Sequence, residues 1–264
     1  MVKLLVSTHS RVLLFDTDSR VAAPLHKGEG VYYGLAYPWV VSRSKGECLL
    51  NLISGQRVPL PSVFTHDACR DHAGSRILVA DCDGGGIVEV SSSTMKVTRH
   101  VKCFTKKHHV NTIAVHNGEV WALLHNLGPS MLVKVNMDTG RWTDIRSNVG
   151  TQSHGLVWYE GSAGTRAGKE GSAGPGDFLI LDSYNGALVH GDRVIWKSSE
   201  KCFLKGLCVK DTTAYFGISA ITERSNRGDP GLQCEVAAVN LETGELLWRE
   251  RLQTCGLLNA IQVY

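Results

Sequence analysis

Short runs of apolar residues alternate with polar turn signals along the whole chain. In one stretch, VNTIAV (110–115) is followed by EVWALLHN, MLVKVNM, the turn DTG (138–140) and RWTDIR. Runs of this length, rich in Val, Leu, Ile and Trp and separated by turn residues, are typical of antiparallel strands. No segment sustains the 3.6-residue period of an amphipathic helix. The pattern therefore predicts an all-β protein.

One strand pattern, a polar residue followed by small and apolar residues, recurs six times. Its copies are YGLAY (33–37), HDACRD (66–71), VNTIAV (110–115), SHGLVW (153–158), LKGLCV (204–209) and LNAIQV (258–263). Their aligned positions are 34 to 54 residues apart, which fits one four-stranded propeller blade each. Residues 1–264 are therefore expected to form one β-propeller domain with six blades, or with five if one copy is misassigned.

The two ends of the chain complement each other. The last copy stands at the C-terminus with no strand after it, and the N-terminus begins with KLLVSTH and RVLLFD, which lack a first strand. Pairing the termini would complete one blade and remove an exposed sheet edge. We therefore expect a ring closed by a blade that the N- and C-termini share.

Two segments interrupt the repeat. Residues 160–176 contain two GSAG copies and too few apolar residues to pack, which predicts a flexible insertion. It joins a first strand to a second, so we expect it on the face opposite the first-strand starts. Residues 221–233 join a second strand to a third and are expected to cover the face where the first strands start.

Composition and charge exclude several classes of partner. The formal net charge is +3 and the basic residues are scattered, whereas nucleic-acid-binding proteins show a basic stripe or cluster. No run approaches the 18 apolar residues of a spanning helix, and the first residues lack the apolar core of an export signal. No glycine fingerprint opens a helix, which argues against a nucleotide cofactor. We expect a cytoplasmic protein with no membrane or nucleic-acid partner.

The eight cysteines are dispersed without a C-x-x-C pair, which argues against a structural zinc site. Reduced thiols that pack as small apolar side chains are the favoured interpretation. Disulfides and a catalytic thiol are the alternatives.

Polar side chains collect where first strands start and second strands end. These positions meet on one face of a propeller, because the two strands run in opposite directions. The starts carry Tyr33, Asp67, Asn111, His154, Lys205 and Asn259, with His66 and His109 beside them, and the ends carry His9, Arg43, Asp81, Asp83, His125 and Asp182. Five of the 11 histidines therefore fall on one predicted rim.

The repeat resembles that of the lactonase-like six-bladed propellers, the gluconolactonase and regucalcin superfamily, whose inner strands often begin N-G-L. It is also similar to uncharacterised propellers with H-x-N-D and H-L-N-G-L strand starts. The resemblance implies that the residue before the G-L dipeptide faces the central channel and can bind a metal. The matching positions here are Asp67, Asn111, His154, Lys205 and Asn259, with Tyr33 in the sixth place.

The ligand types disfavour the calcium site that this resemblance implies. Calcium prefers oxygen ligands, whereas His154 and Lys205 supply an imidazole and an ammonium. Zinc, copper or iron suits imidazole better. The candidate metal ligands are His9, His66, His109, His125 and His154, with Asn111 and Asn259.

Two functional hypotheses follow. The first is an enzyme of hydrolase, lyase or isomerase type that processes a small-molecule or peptide ligand, with an anionic ligand as one option. Its catalytic groups would be Lys205, His154, Asp67 and Asp182, and Lys205 could instead be only an anion binder or a solvated charge. The second hypothesis is a non-catalytic propeller that presents the same rim to a protein or a sugar. In that case the rim histidines would mainly satisfy loop backbone groups.

Overall fold

The chain forms a ring of six four-stranded antiparallel sheets around a central channel. The computed structural model describes residues 2–26, 30–43, 46–161, 176–229, 231–232, 234–253 and 255–264. Most of the predicted flexible insertion, residues 162–175, lies outside these ranges. The six sheets confirm the all-β, six-bladed propeller, and the five-bladed alternative is wrong. Within the described ranges, no helix has the length and apolar character needed to cross a membrane.

Five blades are each built from four consecutive strands, with the first strand innermost. The second blade contains β4 (Tyr32–Ala36), β5 (Trp39–Ser42), β6 (Cys48–Asn51) and β7 (Arg57–Pro59), and the third contains β8 (Thr65–Arg70), β9 (Arg76–Asp81), β10 (Gly86–Ser91) and β11 (Val97–Lys102). The fourth contains β12 (Val110–His116), β13 (Glu119–Leu124), β14 (Pro129–Val135) and β15 (Trp142–Thr151), and the fifth contains β16 (His154–Tyr159), β17 (Asp177–Asp182), β18 (Ala187–His190) and β19 (Arg193–Lys197). The sixth contains β20 (Phe203–Lys210), β21 (Thr213–Ser219), β22 (Cys234–Asn240) and β23 (Leu246–Arg251). A 3₁₀ turn, Arg224–Asn226, lies between β21 and β22.

The first blade closes the ring, as the chain ends predict. It contains β1 (Lys3–Thr8), β2 (Val12–Asp16) and β3 (Val21–His26), and its innermost strand is the C-terminal β24 (Leu258–Val263). Strands β1 and β24 are antiparallel, with Val6 opposite Ile261. Because β1 and β24 pair with each other, the edges along which they meet are not exposed.

The hydrophobic core lies between adjacent blades. Phe15 of the first blade packs in one cluster with Val236 of the sixth and Ile261 of the closing strand. Second strands such as β1 and β9 are almost fully buried, whereas outer strands such as β3 and β15 are largely exposed. Burial of aliphatic side chains between twisted sheets is the main favourable contribution to such a fold.

Every inner strand carries a register irregularity where it starts. The residues that interrupt the one-to-one pairing with the second strand there are Tyr33 and Gly34, His66 and Asp67, Asn111, Gly155, Gly206, and Asn259. A bulge bends its strand and re-aims the neighbouring side chains. Gly206 has a φ of 64°, and a methyl group there would lie 2.8 Å from the carbonyl carbon of Ala260. The glycine thus allows two inner strands to approach closely beside the channel.

Candidate functional site

A cavity of about 260 Å³ runs along the channel and is lined by all six inner strands. The six positions that the repeat aligns all contribute to its wall, and they are Tyr33, Asp67, Asn111, His154, Lys205 and Asn259. His66 lines the cavity as well. The repeated bulge therefore places chemically different side chains at equivalent positions around one opening, which we call the channel mouth.

Five histidines and a tyrosine form a continuous arc of rings at this mouth. The centroid distances are 6.0 Å for His9–Tyr33, 5.4 Å for Tyr33–His66, 5.0 Å for His66–His109, 5.0 Å for His109–His125 and 5.3 Å for His125–His154. The structure thus brings together all five histidines that the sequence places on one rim.

Four of these imidazoles are held in the neutral form. Burial lowers the pKa of His9 to about 4 and that of His125 to about 3, and it lowers the pKa values of His66 and His154 well below 6.5. The positive charge of Lys205 lowers the pKa values of all four further. Neutral imidazole offers a lone pair to a metal or a proton, which its protonated form does not.

Hydrogen bonds fix opposite tautomers on two neighbouring rings. His154 Nδ1 lies 2.9 Å from the carbonyl oxygen of Gln152, so Nδ1 carries the proton and Nε2 keeps its lone pair. His125 Nδ1 lies 3.1 Å from the backbone N–H of Leu127, so it accepts and the proton resides on Nε2. The mouth therefore combines an imidazole acceptor at His154 with an imidazole donor at His125.

A thiol completes a three-residue cluster at the mouth. The ligand atoms of His66, Cys82 and His109 all lie within 4.8 Å of one another. The Cys82 Sγ is 3.0 Å from Nδ1 of His109. The Nε2 of His66 is buried and has no hydrogen-bond partner in the described part of the chain. Two imidazoles and a thiolate are a ligand set that suits a transition metal, so this cluster could hold a metal ion.

Two predicted ligands, Asn111 and Asn259, use their amide groups to tie blades together. Asn111 Nδ2 donates to the Ser153 carbonyl oxygen at 3.1 Å, and Asn259 Nδ2 donates to the Tyr32 carbonyl oxygen at 2.7 Å. The Oδ1 of Asn259 accepts a 3.4 Å hydrogen bond from Nζ of Lys205. Lys205 itself is only 7% exposed. The structure therefore places an ammonium group inside the cavity wall.

The two carboxylates proposed from the sequence have different positions. Asp67 lines the cavity, accepts a 3.2 Å hydrogen bond from the Ile113 N–H, and has its pKa raised to about 7 by burial. Asp182 accepts hydrogen bonds from the Thr151 N–H at 2.8 Å and from the Asn185 amide. These hydrogen bonds connect Asp182 to neighbouring loop residues, and Asp182 is not among the residues that line the cavity.

The guanidinium of Arg43 stacks over the Tyr33 ring at 4.1 Å from its centroid and over the Phe64 ring at 4.0 Å. It also donates to the Tyr33 hydroxyl at 2.9 Å and pairs with Glu47 at 3.1 Å. These contacts hold Tyr33 in place beside His66. The sequence placed Arg43 on the rim but offered no signal for its partner Glu47.

Loop 221–233 reaches the mouth through Arg227. The carbonyl oxygen of Arg227 accepts a 3.0 Å hydrogen bond from the Leu257 N–H, just before β24. The charge of Arg227 also contributes to the lowered pKa values of His9 and His125. The described part of this loop thus lies, at Arg227, on the face where the first strands start, as the strand order predicts.

The sequence interpretation missed Cys82 as a candidate ligand, because it favoured packing roles for all eight thiols. All eight cysteines lie in the described ranges, and none of them forms a disulfide. The available signal was position, since Cys82 follows the end of a second strand, as His9 and His125 do. Its approach to His109, which belongs to the next repeat, is a tertiary contact.

Comparison with known proteins identifies a fold. No protein-family model matches the chain, and no curated protein matches it either. A chain of the nidogen/laminin complex is similar over 100% of this chain and 98% of its own, with a TM-score of 0.69 and 14% identity. The periplasmic gluconolactonase PpgL of Pseudomonas aeruginosa is similar over 99% and 98%, with a TM-score of 0.56 and 13% identity.

Regucalcin from Agrobacterium tumefaciens, described as a calcium-binding protein, is similar over 86% of this chain and 76% of its own, with a TM-score of 0.56 and 14% identity. The protein therefore shares the six-bladed propeller fold of the lactonase-like proteins, as the repeat suggested. These neighbours differ in what they do, and a fold shared at such low identity does not carry an activity with it.

Proposed function

We propose that this protein is an enzyme that processes a small molecule at the channel mouth, with a divalent transition metal held by His66, Cys82 and His109. The observation that supports the proposal is the convergence of these three ligand atoms within 4.8 Å, beside a cavity of about 260 Å³. A metal held by three protein ligands with an open position can polarise a carbonyl or activate water. Hydrolase, lyase or isomerase chemistry suits such a centre.

The donor set favours zinc, copper or iron over calcium. Calcium takes six to eight oxygen ligands, whereas the cluster supplies two nitrogens and one sulfur. The buried Nε2 of His66, which has no hydrogen-bond partner among the described residues, would gain one on binding a metal. A Cys82 thiolate would also reduce the repulsion between a dication and the ammonium of Lys205.

The neighbouring imidazoles supply one hydrogen-bond acceptor and one hydrogen-bond donor. His154 presents an Nε2 lone pair, because Gln152 holds its proton on Nδ1. His125 presents an Nε2–H, because its Nδ1 accepts from Leu127. In the proposed enzyme the Nε2 lone pair of His154 accepts a hydrogen bond from the reacting molecule, and the Nε2–H of His125 donates one to it. Both roles require neutral rings, which burial provides.

Metal analysis of the purified protein tests this proposal. We expect wild-type protein to bind one equivalent of zinc, copper or iron, and Cys82→Ser to bind it at least about tenfold more weakly. Cys103→Ser is the matched control, because Cys103 is a half-buried thiol of the same blade outside the cluster. The metal-loaded wild type should hydrolyse some members of a panel of small lactones and esters. Wild-type protein that neither contains nor takes up a metal contradicts the proposal.

A non-catalytic propeller that binds a protein partner is the second candidate. The observation that favours it is the exposure of two large side chains beside the mouth, Leu127 at 66% and Tyr184 at 50%. Exposed aromatic and aliphatic side chains on a rim are common in protein interfaces. This alternative predicts partner binding that is lost in Leu127→Ser and Tyr184→Ser and is unchanged in Cys82→Ser.

A further inference from the structure

We propose that Cys234 and Cys255 are a site of reversible disulfide formation, which ties the start of β22 to the connection that precedes the ring-closing strand β24. Neither thiol belongs to the cluster of His66, Cys82 and His109, so this modification site is separate from the proposed metal centre. The inference depends on the contact between the two thiols, on the difference between them and on what the connection holds in place.

The two thiols meet in the core between the first and sixth blades. At the end of the β22–β23 pairing, the Leu252 N–H donates to the Cys234 carbonyl oxygen at 2.8 Å, and Cys255 follows three residues later. Both cysteines belong to one buried cluster, with exposures of 0% and 1%. The Cys234 thiol donates a hydrogen bond to the Cys255 sulfur, and Cys255 in turn donates to the Gly256 carbonyl oxygen at 3.4 Å. The two sulfurs are therefore already adjacent, as an S–S bond of about 2.05 Å requires.

The contact makes one thiol more acidic than the other. The hydrogen bond from Cys234 lowers the pKa of the Cys255 thiol, and the charge of Arg11 acts in the same direction against the effect of burial. The same hydrogen bond, together with burial, raises the pKa of Cys234 well above its usual value. Since the thiolate is the reactive form of cysteine, Cys255 is the attacking sulfur and Cys234 the resolving one. Burial instead raises the pKa values of five other thiols, which are Cys48, Cys69, Cys103, Cys202 and Cys208.

Hydrogen peroxide is the oxidant that we assign to this site. The Cys255 thiolate attacks one peroxide oxygen, an S–O bond forms and the O–O bond breaks, and the departing hydroxide takes up the proton that Cys255 released. The Cys234 sulfur then attacks the Cys255 sulfenic acid, so that the S–S bond forms and the S–O bond breaks with loss of water. Two thiols are thereby oxidised to one disulfide, and one peroxide is reduced to two molecules of water.

The burial of the two sulfurs selects a small oxidant. Between β23 and β24 the described residues 252, 253 and 255–257 belong to no strand, and Gln253 is exposed. Opening of such an irregular connection costs less free energy than unfolding a blade. A local opening admits hydrogen peroxide, whereas a bulky disulfide such as glutathione disulfide requires a much larger opening.

The connection that contains Cys255 also supports the channel mouth. The Leu257 carbonyl oxygen accepts from the His9 N–H at 3.0 Å and from His9 Nδ1 at 3.1 Å, and the Leu257 N–H donates to the Arg227 carbonyl oxygen at 3.0 Å. Gly256, between Cys255 and Leu257, has a φ of 63°, and a methyl group there would lie 2.8 Å from the Arg227 carbonyl oxygen. A disulfide at Cys255 would therefore restrain the segment that joins His9 to Arg227.

Peptide mapping of the full-length, metal-free protein before and after treatment with hydrogen peroxide tests the inference. Trypsin cleaves after Lys and Arg, so the two cysteines fall in separate peptides, residues 228–249 and 252–264, which contain one cysteine each. After oxidation we expect these two peptides to be joined, with a combined mass lower by two hydrogen atoms. Dithiothreitol should separate them again.

Three variants assign the roles of the thiols. Cys255→Ser should eliminate the joined species, and Cys234→Ser should leave a sulfenic acid at Cys255 that dimedone traps. Cys208→Ser is the matched control, because Cys208 is a buried thiol of the same cluster, and it should leave the yield of joined peptides unchanged. Hydrogen exchange at the Leu257 amide should also be slower in the oxidised wild type than in the reduced protein.

Several outcomes would overturn the inference. They are wild-type protein in which both cysteines stay reduced, a disulfide that joins either cysteine to a different thiol, and oxidation of the two sulfurs to sulfinic acids without a link. Stronger dimedone trapping at Cys234 in Cys255→Ser than at Cys255 in Cys234→Ser would contradict the assignment of the attacking sulfur. An equal exchange rate at Leu257 in the two forms would contradict the effect on the mouth. The wild-type peptide map decides the main point even if a variant does not fold, and it does not depend on whether the protein binds a metal.

Discussion

Acidification is expected to destabilise the protein through its buried imidazoles, and His9 allows a direct test. Burial lowers its pKa from 6.5 to about 4, and the charges of Lys205, Arg227 and Arg43 act in the same direction. The Leu257 carbonyl oxygen accepts from Nδ1 at 3.1 Å and partly opposes this shift. The Tyr33 ring lies against the imidazole as well.

The sign follows from proton linkage. As the pH falls below 6.5 the unfolded chain binds a proton at His9, whereas the folded protein does not until the pH approaches 4. The stability associated with neutral His9 is therefore complete above pH 6.5 and is lost progressively between these two values. The full loss is about 3 kcal/mol at 1.36 kcal/mol per pKa unit, and about 2 kcal/mol of it is reached at pH 5.

This loss is large against a typical unfolding free energy of about 5–15 kcal/mol. His66, His125 and His154 shift in the same direction. The raised pKa of Asp67 acts in the opposite direction, because the folded protein protonates this carboxyl group at a higher pH than the unfolded chain does. Four imidazoles outweigh one carboxyl group, so the whole protein should be less stable at pH 5 than at pH 7.5.

Urea denaturation of metal-free protein at pH 7.5 and pH 5.0 measures the effect. His9→Asn places an amide nitrogen near the position of Nδ1 and can retain the donation to Leu257. We expect its free energy of unfolding to fall by about 2 kcal/mol less than that of the wild type over this interval. His72→Asn, at an exposed position, is the control. Wild-type stability that does not change with pH, or an equal change in His9→Asn, would refute the reasoning.

Three further predictions concern the fold. Gly206→Ala should lower the free energy of unfolding, measured by urea denaturation, more than Gly118→Ala does. Both glycines have positive φ, but only at Gly206 would the added methyl group lie within 3 Å of the Ala260 backbone. Equal losses in the two variants would contradict the close approach. Ile261→Ala should lower the free energy of unfolding by about 2–5 kcal/mol, since Ile261 is buried in the closing blade, and a loss below about 1 kcal/mol would argue against that closure. Replacing residues 162–175 by a short Gly-Ser linker should leave the circular dichroism spectrum and the metal content unchanged, because the flanking strand β16 starts at the mouth and ends on the opposite face. A change in either measurement would contradict that placement.

The sequence by itself determined the blades and the closure of the ring, and it favoured six blades with five as the alternative. Strand alternation and turn residues depend only on residues that are close together in the chain. The number of times this pattern repeats indicates the number of sheets. The mouth positions were predictable for the same reason, because equivalent residues of equivalent blades face one axis. Lys205 and His154 could therefore be placed beside the channel without coordinates.

Only the tertiary structure decided how these side chains combine. Cys82 and His109 belong to different repeats and meet at 3.0 Å, a contact that depends on the angle between blades and leaves no periodic signal. Asp182, expected as an orienting carboxylate, instead accepts from the Thr151 N–H. The lowered imidazole pKa values likewise depend on burial within the closed ring. Local pattern specifies each blade, whereas distances and desolvation at the axis arise only when all six blades pack together.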